Sequence, residues 1–130
     1  MGEKKSKAIF LNVERVWFEI TKVDGCLCKH ALAADFAVTK DQVGTVIVEL
    51  KGSDVPHAVE QVLASAGFWR EHQPNCASLA GLVVSRQRPR YSTSVQRAQT
   101  KFARSHKGPL HVVSSNREYV FEKVLSFKGP

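Results

Sequence analysis

The chain has little cysteine, no long apolar run and one long stretch without acidic residues. Its three cysteines, Cys26, Cys28 and Cys76, are an odd number at irregular spacing, which argues against a disulfide framework. No run approaches the ~20 apolar residues of a membrane helix, and the polar N-terminus lacks the apolar region of a signal peptide. These absences predict one domain over residues 1–130 in the reducing cytoplasm, with no membrane partner.

Two of the cysteines raise the question of a zinc site. Cys26, Cys28 and His30 lie close together, but zinc sites usually have wider ligand gaps and a second ligand pair. Only His72 or Cys76 could supply a further ligand. We therefore interpret the cysteines as free thiols and expect no zinc.

Acidic residues are missing from the whole of 72–117, although this stretch holds eight of the nineteen basic residues. Its net charge is +8, and the other eleven basic and twelve acidic residues give −1. The basic residues of the stretch are Arg86, Arg88, Arg90, Arg97, Lys101, Arg104, Lys107 and Arg117. Charge segregated in this way indicates a polyanionic partner, and nucleic acid is the natural one.

Two short apolar runs, 31–38 and 46–51, carry charged residues in a predicted β-hairpin with a polar turn between them. Asp35 lies in the first run. Glu49 and Lys51 lie in the second, where strand alternation puts both side chains on one face. Charges are uncommon in such runs unless they are paired or bind a ligand. Two adjacent carboxylates on a rigid hairpin suit Mg²⁺, although an exposed pair on an edge strand is the simpler alternative.

The other elements follow from apolar periodicity and from capping residues. A helix is predicted over 55–66, with Asp54 as N-cap, Pro56 in the first turn and Gly67 after the last turn. Further strands are predicted over 16–23, 79–85 and 110–113, and a second helix over 94–105. Residues 119–127 fit a strand or a helix, and we favour the strand. A turn is predicted at Asp24-Gly25 and a flexible tail over 1–8. This order predicts an α/β fold with a mixed central sheet flanked by helices.

Asp35, the Glu49-Leu50-Lys51 sequence and Gln61 on the following helix resemble the PD-(D/E)XK nuclease superfamily. The resemblance implies a restriction-endonuclease-like core in which Asp35 and Glu49 hold Mg²⁺ or Mn²⁺. It also implies that Lys51 assists the attacking water and that Gln61 lies near the same site. Without the resemblance, Gln61 would be interpreted as exposed helix surface.

The sequence departs from the family pattern just before the aspartate. Ala34 stands where the family's strand has proline before the aspartate. The family also begins with a helix that carries a glutamate near the metal, and the candidates here are Glu14 and Glu19. Glu19 is preferred as a further metal ligand because it is nearer the hairpin in sequence.

The resulting hypothesis is a metal-dependent nuclease that hydrolyses phosphodiester bonds, with DNA as the expected substrate. The expected phosphate contacts are Arg86, Arg88 and Arg90 beside the site and Arg97, Lys101 and Arg104 along the second helix. Two alternatives remain open: a Holliday-junction resolvase, and a non-catalytic nucleic-acid-binding subunit of a larger assembly. A homodimer is compatible with each of them.

Overall fold

A five-stranded mixed sheet lies at the centre of the computed structural model. The structure describes residues 8–12, 14–23, 34–51, 54–85, 92–114 and 118–130, without the side chain of Lys51. The strands are β1 (Ile9–Phe10), β2 (Phe18–Lys22), β3 (Phe36–Lys40), β4 (Gly44–Lys51), β5 (Leu79–Ser85), β6 (Leu110–Val113) and β7 (Glu118–Tyr119). The helices are α1 (Val55–His72), α2 (Thr93–His106) and α3 (Phe121–Val124).

The strand order in the large sheet is β2-β3-β4-β5-β6. The first three strands form an antiparallel meander, and β5 and β6 are added in parallel after α1 and α2. A separate pair joins β1 and β7 in parallel. The predicted α/β class with a mixed sheet flanked by helices is confirmed.

Alternation along the strands gives the sheet two apolar faces. On one face, Ile47 and Val83 pack against Val62 of α1 and Phe102 of α2. On the other, a second cluster joins the strands to the C-terminal segment, and its fully buried members include Val46, Leu82, Tyr119, Phe121 and Val124. The helices α1 and α2 therefore cover the face to which the odd-numbered residues of β4 belong.

Helix α1 begins as predicted but ends later. Asp54 is the N-cap, and its side chain accepts a hydrogen bond from His57 N at 3.2 Å. The predicted end at Gly67 is wrong, because the helix continues through this residue to His72. Trp69 in the added turn is only 6% exposed, so its burial favours continuation of the helix over a stop at the glycine.

Strand β3 is shifted relative to the prediction of 31–38. It runs from Phe36 to Lys40, so that the turn of the hairpin falls at 41–43. Residues 31–33 and the Asp24-Gly25 turn lie outside the described part of the chain. The strands at 79–85 and 110–113 have the predicted bounds, and α2 extends the predicted 94–105 by one residue at each end.

The strand predicted over 119–127 is wrong. The chain leaves β7 at Tyr119 and forms the short helix α3, in which Phe121 and Val124 are both buried. Residues three apart point to opposite sides of a strand but to one side of a helix. The helix is therefore the conformation that brings both side chains into the core. Within the described ranges, no helix is long and apolar enough to cross a membrane.

Candidate active site

Asp35 and Glu49 meet at the open end of the β3–β4 hairpin, on the sheet face that α1 and α2 cover. The backbone N–H of Asp35 donates to Glu49 Oε1 at 3.1 Å. The backbone N–H of Leu50 donates to Asp35 Oδ2 at 2.9 Å. Each carboxylate therefore accepts a hydrogen bond from the backbone of the neighbouring segment. We refer to Asp35 and Glu49 in this arrangement as the carboxylate clasp.

The position of Glu49 decides between two interpretations of the charged strand. Strand β4 lies between β3 and β5, and Glu49 is 2% exposed. An exposed pair on an edge strand is therefore the wrong description of this glutamate. Acidic side chains are rarely buried to this degree unless they are paired or bind a ligand. Asp35 is half-buried, so the clasp has one deep and one shallower carboxylate.

Helix α1 fixes the backbone that carries Asp35. Ser65 Oγ accepts a hydrogen bond from the N–H of Ala34 at 2.7 Å, and both residues are buried. Gln61 lies one helical turn before Ser65 and therefore on the same side of α1. Gln61 is 9% exposed, so exposed helix surface is the wrong interpretation of this residue. Sequence reasoning missed Ser65, since a serine inside a helix gives no signal of its own.

The end of β5 forms the other flank of the site. In the parallel register, Val83 lies opposite Glu49 and Ser85 lies opposite Lys51. Ser85 is 1% exposed, and alternation puts it on the same sheet face as Glu49. It is a second polar residue beside the clasp that sequence reasoning did not select. Lys51 is the last residue of β4, and its side chain lies outside the described part of the structure.

Glu19 is not brought to the clasp. It pairs with Thr39, whereas Val23 is the residue of this segment that bonds to Asp35, with Val23 N donating to Asp35 O at 3.0 Å. Four residues of strand separate Glu19 from Val23, which is about 13 Å. Glu19 is also exposed. The prediction of Glu19 as a third acidic group at the site therefore has no support in the strand register.

Glu14, the alternative, lies at the opposite end of β3. Its carboxylate is 3.7 Å from Lys40 Nζ, and Lys40 also forms an ion pair with Glu122. The hydrogen bond that Lys40 Nζ donates to Glu122 raises the pKa of Lys40 and lowers the pKa of Glu122. This group of charges joins β3 to α3 and is separate from the clasp.

Three of the predicted phosphate contacts lie together on α2. Arg97, Lys101 and Arg104 are exposed on one side of the helix, and we refer to them as the basic stripe. They line a surface depression of about 530 Å³ with the polar residues Thr93, Gln96, Thr100 and Ser105. Helix α2 connects the parallel neighbours β5 and β6, so it begins on the side of the sheet where β5 ends at Ser85. Arg86, Arg88 and Arg90 belong to the segment between β5 and α2 and lie outside the described residues.

Among the described residues, the metal ligands that the site offers are carboxylate oxygens. The described ranges contain no group of three or more histidine, cysteine, aspartate and glutamate residues that could hold a metal ion. The clasp itself offers two carboxylates, and Mg²⁺ is commonly held by one or two carboxylates while it keeps several waters. Cys26, Cys28 and His30 lie outside the described residues, so the expectation of no zinc stays a prediction.

The chain matches no family model, no curated protein and no solved structure. The resemblance to the PD-(D/E)XK superfamily therefore depends on Asp35, Glu49, Lys51 and Gln61 and remains a prediction.

Proposed function

We propose that the protein is a metal-dependent nuclease that hydrolyses phosphodiester bonds in DNA, with a restriction-endonuclease-like core. The observation that carries this proposal is the carboxylate clasp, in which a buried glutamate of β4 and the aspartate just before β3 are held together. The order of antiparallel meander, α1 and parallel β5 supports the proposed core. The basic stripe supports a polyanionic substrate.

The clasp has the donor chemistry of a magnesium site. Carboxylate oxygens are hard ligands that suit Mg²⁺ and Mn²⁺ better than soft metals. The two described hydrogen bonds use one oxygen of each carboxylate, Glu49 Oε1 and Asp35 Oδ2, and they fix the orientation of both groups. Asp35 and Glu49 would hold the ion. When bound, a divalent ion lowers the pKa of a water molecule and offsets charge on a phosphate.

The remaining residues have roles that follow from their positions. Lys51 follows Glu49 by two residues on β4 and would position the attacking water or offset charge in the transition state. Gln61 on the buried side of α1 would hydrogen-bond to a water, a carboxylate or a phosphate. Ser65 holds the backbone before Asp35 and so keeps that carboxylate in place. The basic stripe would bind the phosphates that flank the scissile bond.

The sharpest test replaces each carboxylate by its amide. An amide oxygen still accepts the backbone hydrogen bond, so Asp35→Asn and Glu49→Gln keep the clasp while removing its charge. Truncation to alanine would instead leave a backbone N–H without its acceptor, which costs about 1–3 kcal/mol where that group is buried. We expect both amide variants to fold normally, to lose Mg²⁺ affinity and to cut DNA at least about 10²-fold more slowly.

The measurements are single-turnover cleavage of single-stranded, duplex and branched DNA, Mg²⁺ affinity by calorimetry, and the thermal midpoint. Asp41→Asn, at an exposed acid of the β3–β4 turn, is the matched control and should behave as wild type. Cleavage that persists in excess EDTA, or wild-type rates in both amide variants, would contradict the proposal. DNA binding without any cleavage by the wild-type protein would favour the non-catalytic alternative.

A further inference from the structure

Exposed apolar side chains are concentrated in the N-terminal segment that leads into and includes β2, an edge strand of the large sheet. Of the seven large hydrophobic residues that are exposed in the described part of the chain, five fall within 9–20. They are Ile9, Leu11, Val16, Trp17 and Ile20, which we call the edge patch. Trp17 is 92% exposed and Ile20 is 68% exposed, the two highest values of the seven. Exposed apolar side chains concentrated in one segment are typical of an interaction site.

The patch adjoins a cavity of about 450 Å³ on the same sheet face as Ile20. The cavity is lined by Ile20 together with Phe10, Phe18, Val38 and Leu50, among others. Ile20 therefore lies between this mostly apolar cavity and the edge of β2 that faces away from β3.

The backbone of β2 also has one side that the described strands do not use. Among them, β2 pairs only with β3. Val23 N donates toward β3, at 3.0 Å from Asp35 O, and in an antiparallel pair alternate residues turn their backbone groups to the same side. The odd-numbered residues of this segment thus bond to β3. The N–H and C=O groups of Phe18, Ile20 and Lys22 consequently point to the outer edge, where another strand can bind them.

Charge distinguishes between the possible occupants of this edge. Residues 8–23 hold two acids, Glu14 and Glu19, and two bases, Arg15 and Lys22, and so have no net charge in a chain of net charge +7. A neutral surface offers no attraction to a polyanion. It does allow two copies of a basic protein to approach, because the repulsive charge lies elsewhere. A second copy of this chain is therefore the occupant that the edge patch fits.

A two-fold axis at Ile20 gives a consistent pairing. Antiparallel β2 strands in this register bring Ile20 opposite Ile20 of the second copy, Phe18 opposite Lys22, and Glu19 opposite Thr21. These pairs bring no like charges opposite each other, and the lysine lies over an aromatic ring, which is favourable. The residues whose backbone groups point outward are the ones that this register pairs. The interface is isologous, as expected for a closed dimer.

We propose that the protein forms a homodimer in which the β2 strands of two copies pair antiparallel about Ile20 and extend the sheet across both. This inference does not rest on the proposed nuclease function, because the pairing uses the outer edge of β2, and its axis at Ile20 lies three residues, or about 10 Å, along the strand from Val23 at the level of the clasp. A dimer of this kind covers Ile20 of the edge patch and pairs the outward backbone groups of β2.

The first test is the mass in solution by sedimentation, at high salt and with nucleic acid removed, over a wide range of protein concentration. We expect twice the 14.4 kDa mass of the monomer. Ile20→Lys brings two like charges together on the axis, and Ile20→Pro removes an outward N–H without affecting the bonds to β3. Both variants should be monomeric with folded circular dichroism spectra. Phe127→Lys, at a residue that is 63% exposed and outside the patch, should stay dimeric.

The second test fixes the register. Directly opposed residues in a hydrogen-bonded antiparallel pair have Cα atoms about 5.5 Å apart, within the range of a disulfide. Ile20→Cys should therefore cross-link two copies on mild oxidation. Lys22→Cys should not, because its counterpart lies about 13 Å away in this register.

Three results would overturn the proposal. They are a monomeric wild-type protein at all concentrations, a dimer that survives both Ile20→Lys and Ile20→Pro, and cross-linking that is no faster through Ile20→Cys than through Lys22→Cys. A monomeric wild type would assign the edge patch to a different protein partner.

Discussion

Lys51 is the residue that most directly tests the proposed chemistry at the scale of a single side chain. If it assists the attacking water, Lys51→Ala should slow cleavage by about 10²-fold or more, the scale for losing one catalytic electrostatic or proton-transfer group. The fold should be unaffected, because the apolar face of β4 is built by Val46 and Val48. The measurement is single-turnover cleavage at saturating Mg²⁺, with Mg²⁺ affinity by calorimetry.

Mg²⁺ affinity distinguishes the proposed role of Lys51 from that of Glu49 on the same strand. Lys51→Ala should bind Mg²⁺ as the wild type does, whereas Glu49→Gln should not. Lys123→Ala, at an exposed lysine of α3, is the control for loss of one positive charge. Wild-type cleavage by Lys51→Ala would mean that the Glu-x-Lys sequence is an ordinary feature of a strand, and the nuclease proposal would lose its main sequence support.

Single residues also mark how far the sequence predicts the site. Asp35 and Glu49 were found because a charge inside an apolar run is unusual, and the structure brings them together. Ser65 and Ser85 gave no such signal, since a serine is ordinary both in a helix and at the end of a strand. Their contribution depends on which backbone group or residue lies opposite, and this is a property of the packed fold.

At the scale of elements, α2 is where binding of nucleic acid can be tested separately from cleavage. Replacing Arg97, Lys101 and Arg104 by alanine should flatten the dependence of DNA affinity on salt, by roughly 0.9 in the log–log slope for each phosphate contact that is lost. The three side chains are exposed, so the helix itself should keep its packing through Val95, Ala98 and Phe102. The measurement is DNA affinity at several salt concentrations.

The control for this helix removes charge elsewhere. Lys123→Ala combined with Lys128→Ala changes two exposed lysines of the C-terminal segment and should leave the slope unchanged. A triple variant of the basic stripe with the wild-type slope would show that the nucleic acid follows a different surface.

The bounds of the helices and strands were predicted best where the residues next to an element stop it from continuing. Strands β5 and β6 had the predicted bounds because polar residues or a Gly-Pro sequence flank their apolar runs. The end of α1 was missed because glycine weakens a helix by only about 1 kcal/mol, which burial of Trp69 can offset. The C-terminal segment was missed because its apolar residues fit both periods, and only the core determines that Phe121 and Val124 face the same way.

At the scale of the whole molecule, two buried histidines predict loss of stability in acid. His111 Nε2 donates to the carbonyl oxygens of Val124 at 2.9 Å and Ser126 at 3.1 Å, which joins β6 to the C-terminal segment. Burial lowers the pKa of His111, and burial followed by the charge of Arg70 lowers the pKa of His106. Both therefore favour the neutral form in the folded protein. The free energy of unfolding should be highest above the unfolded pKa of about 6.5 and fall as the pH drops below it.

Urea unfolding at neutral and mildly acidic pH measures this effect. His111→Gln keeps a donor for the carbonyl oxygens but cannot be protonated, so its loss of stability on acidification should be smaller than in the wild type. His57→Gln, at an exposed histidine of α1, should lose as much as the wild type. An equal loss in all three proteins would show that other groups control acid stability.

The whole fold also explains why Glu19, which the sequence predicted as a metal ligand, lies away from the clasp. Glu19 is close to the hairpin in sequence, but the register of β2 against β3 is set by the pairing of Ile20 with Val38 and Lys22 with Phe36. That pairing carries Glu19 toward the turn end of β3. Distance along the chain therefore gave no measure of distance from the clasp.

The clasp has a consequence for the order of events during folding. Asp35 and Glu49 are 14 residues apart and belong to one hairpin, so only a short loop must close to bring them together. The pairing of Glu49 with Val83 on β5 must close a much longer loop, which includes α1, so we expect it to form later. We therefore expect the newly closed hairpin to hold two neighbouring negative charges in water before α1 and β5 cover them. Dissolved cations have access to the acid pair at that stage, earlier than to the buried pair of the finished fold.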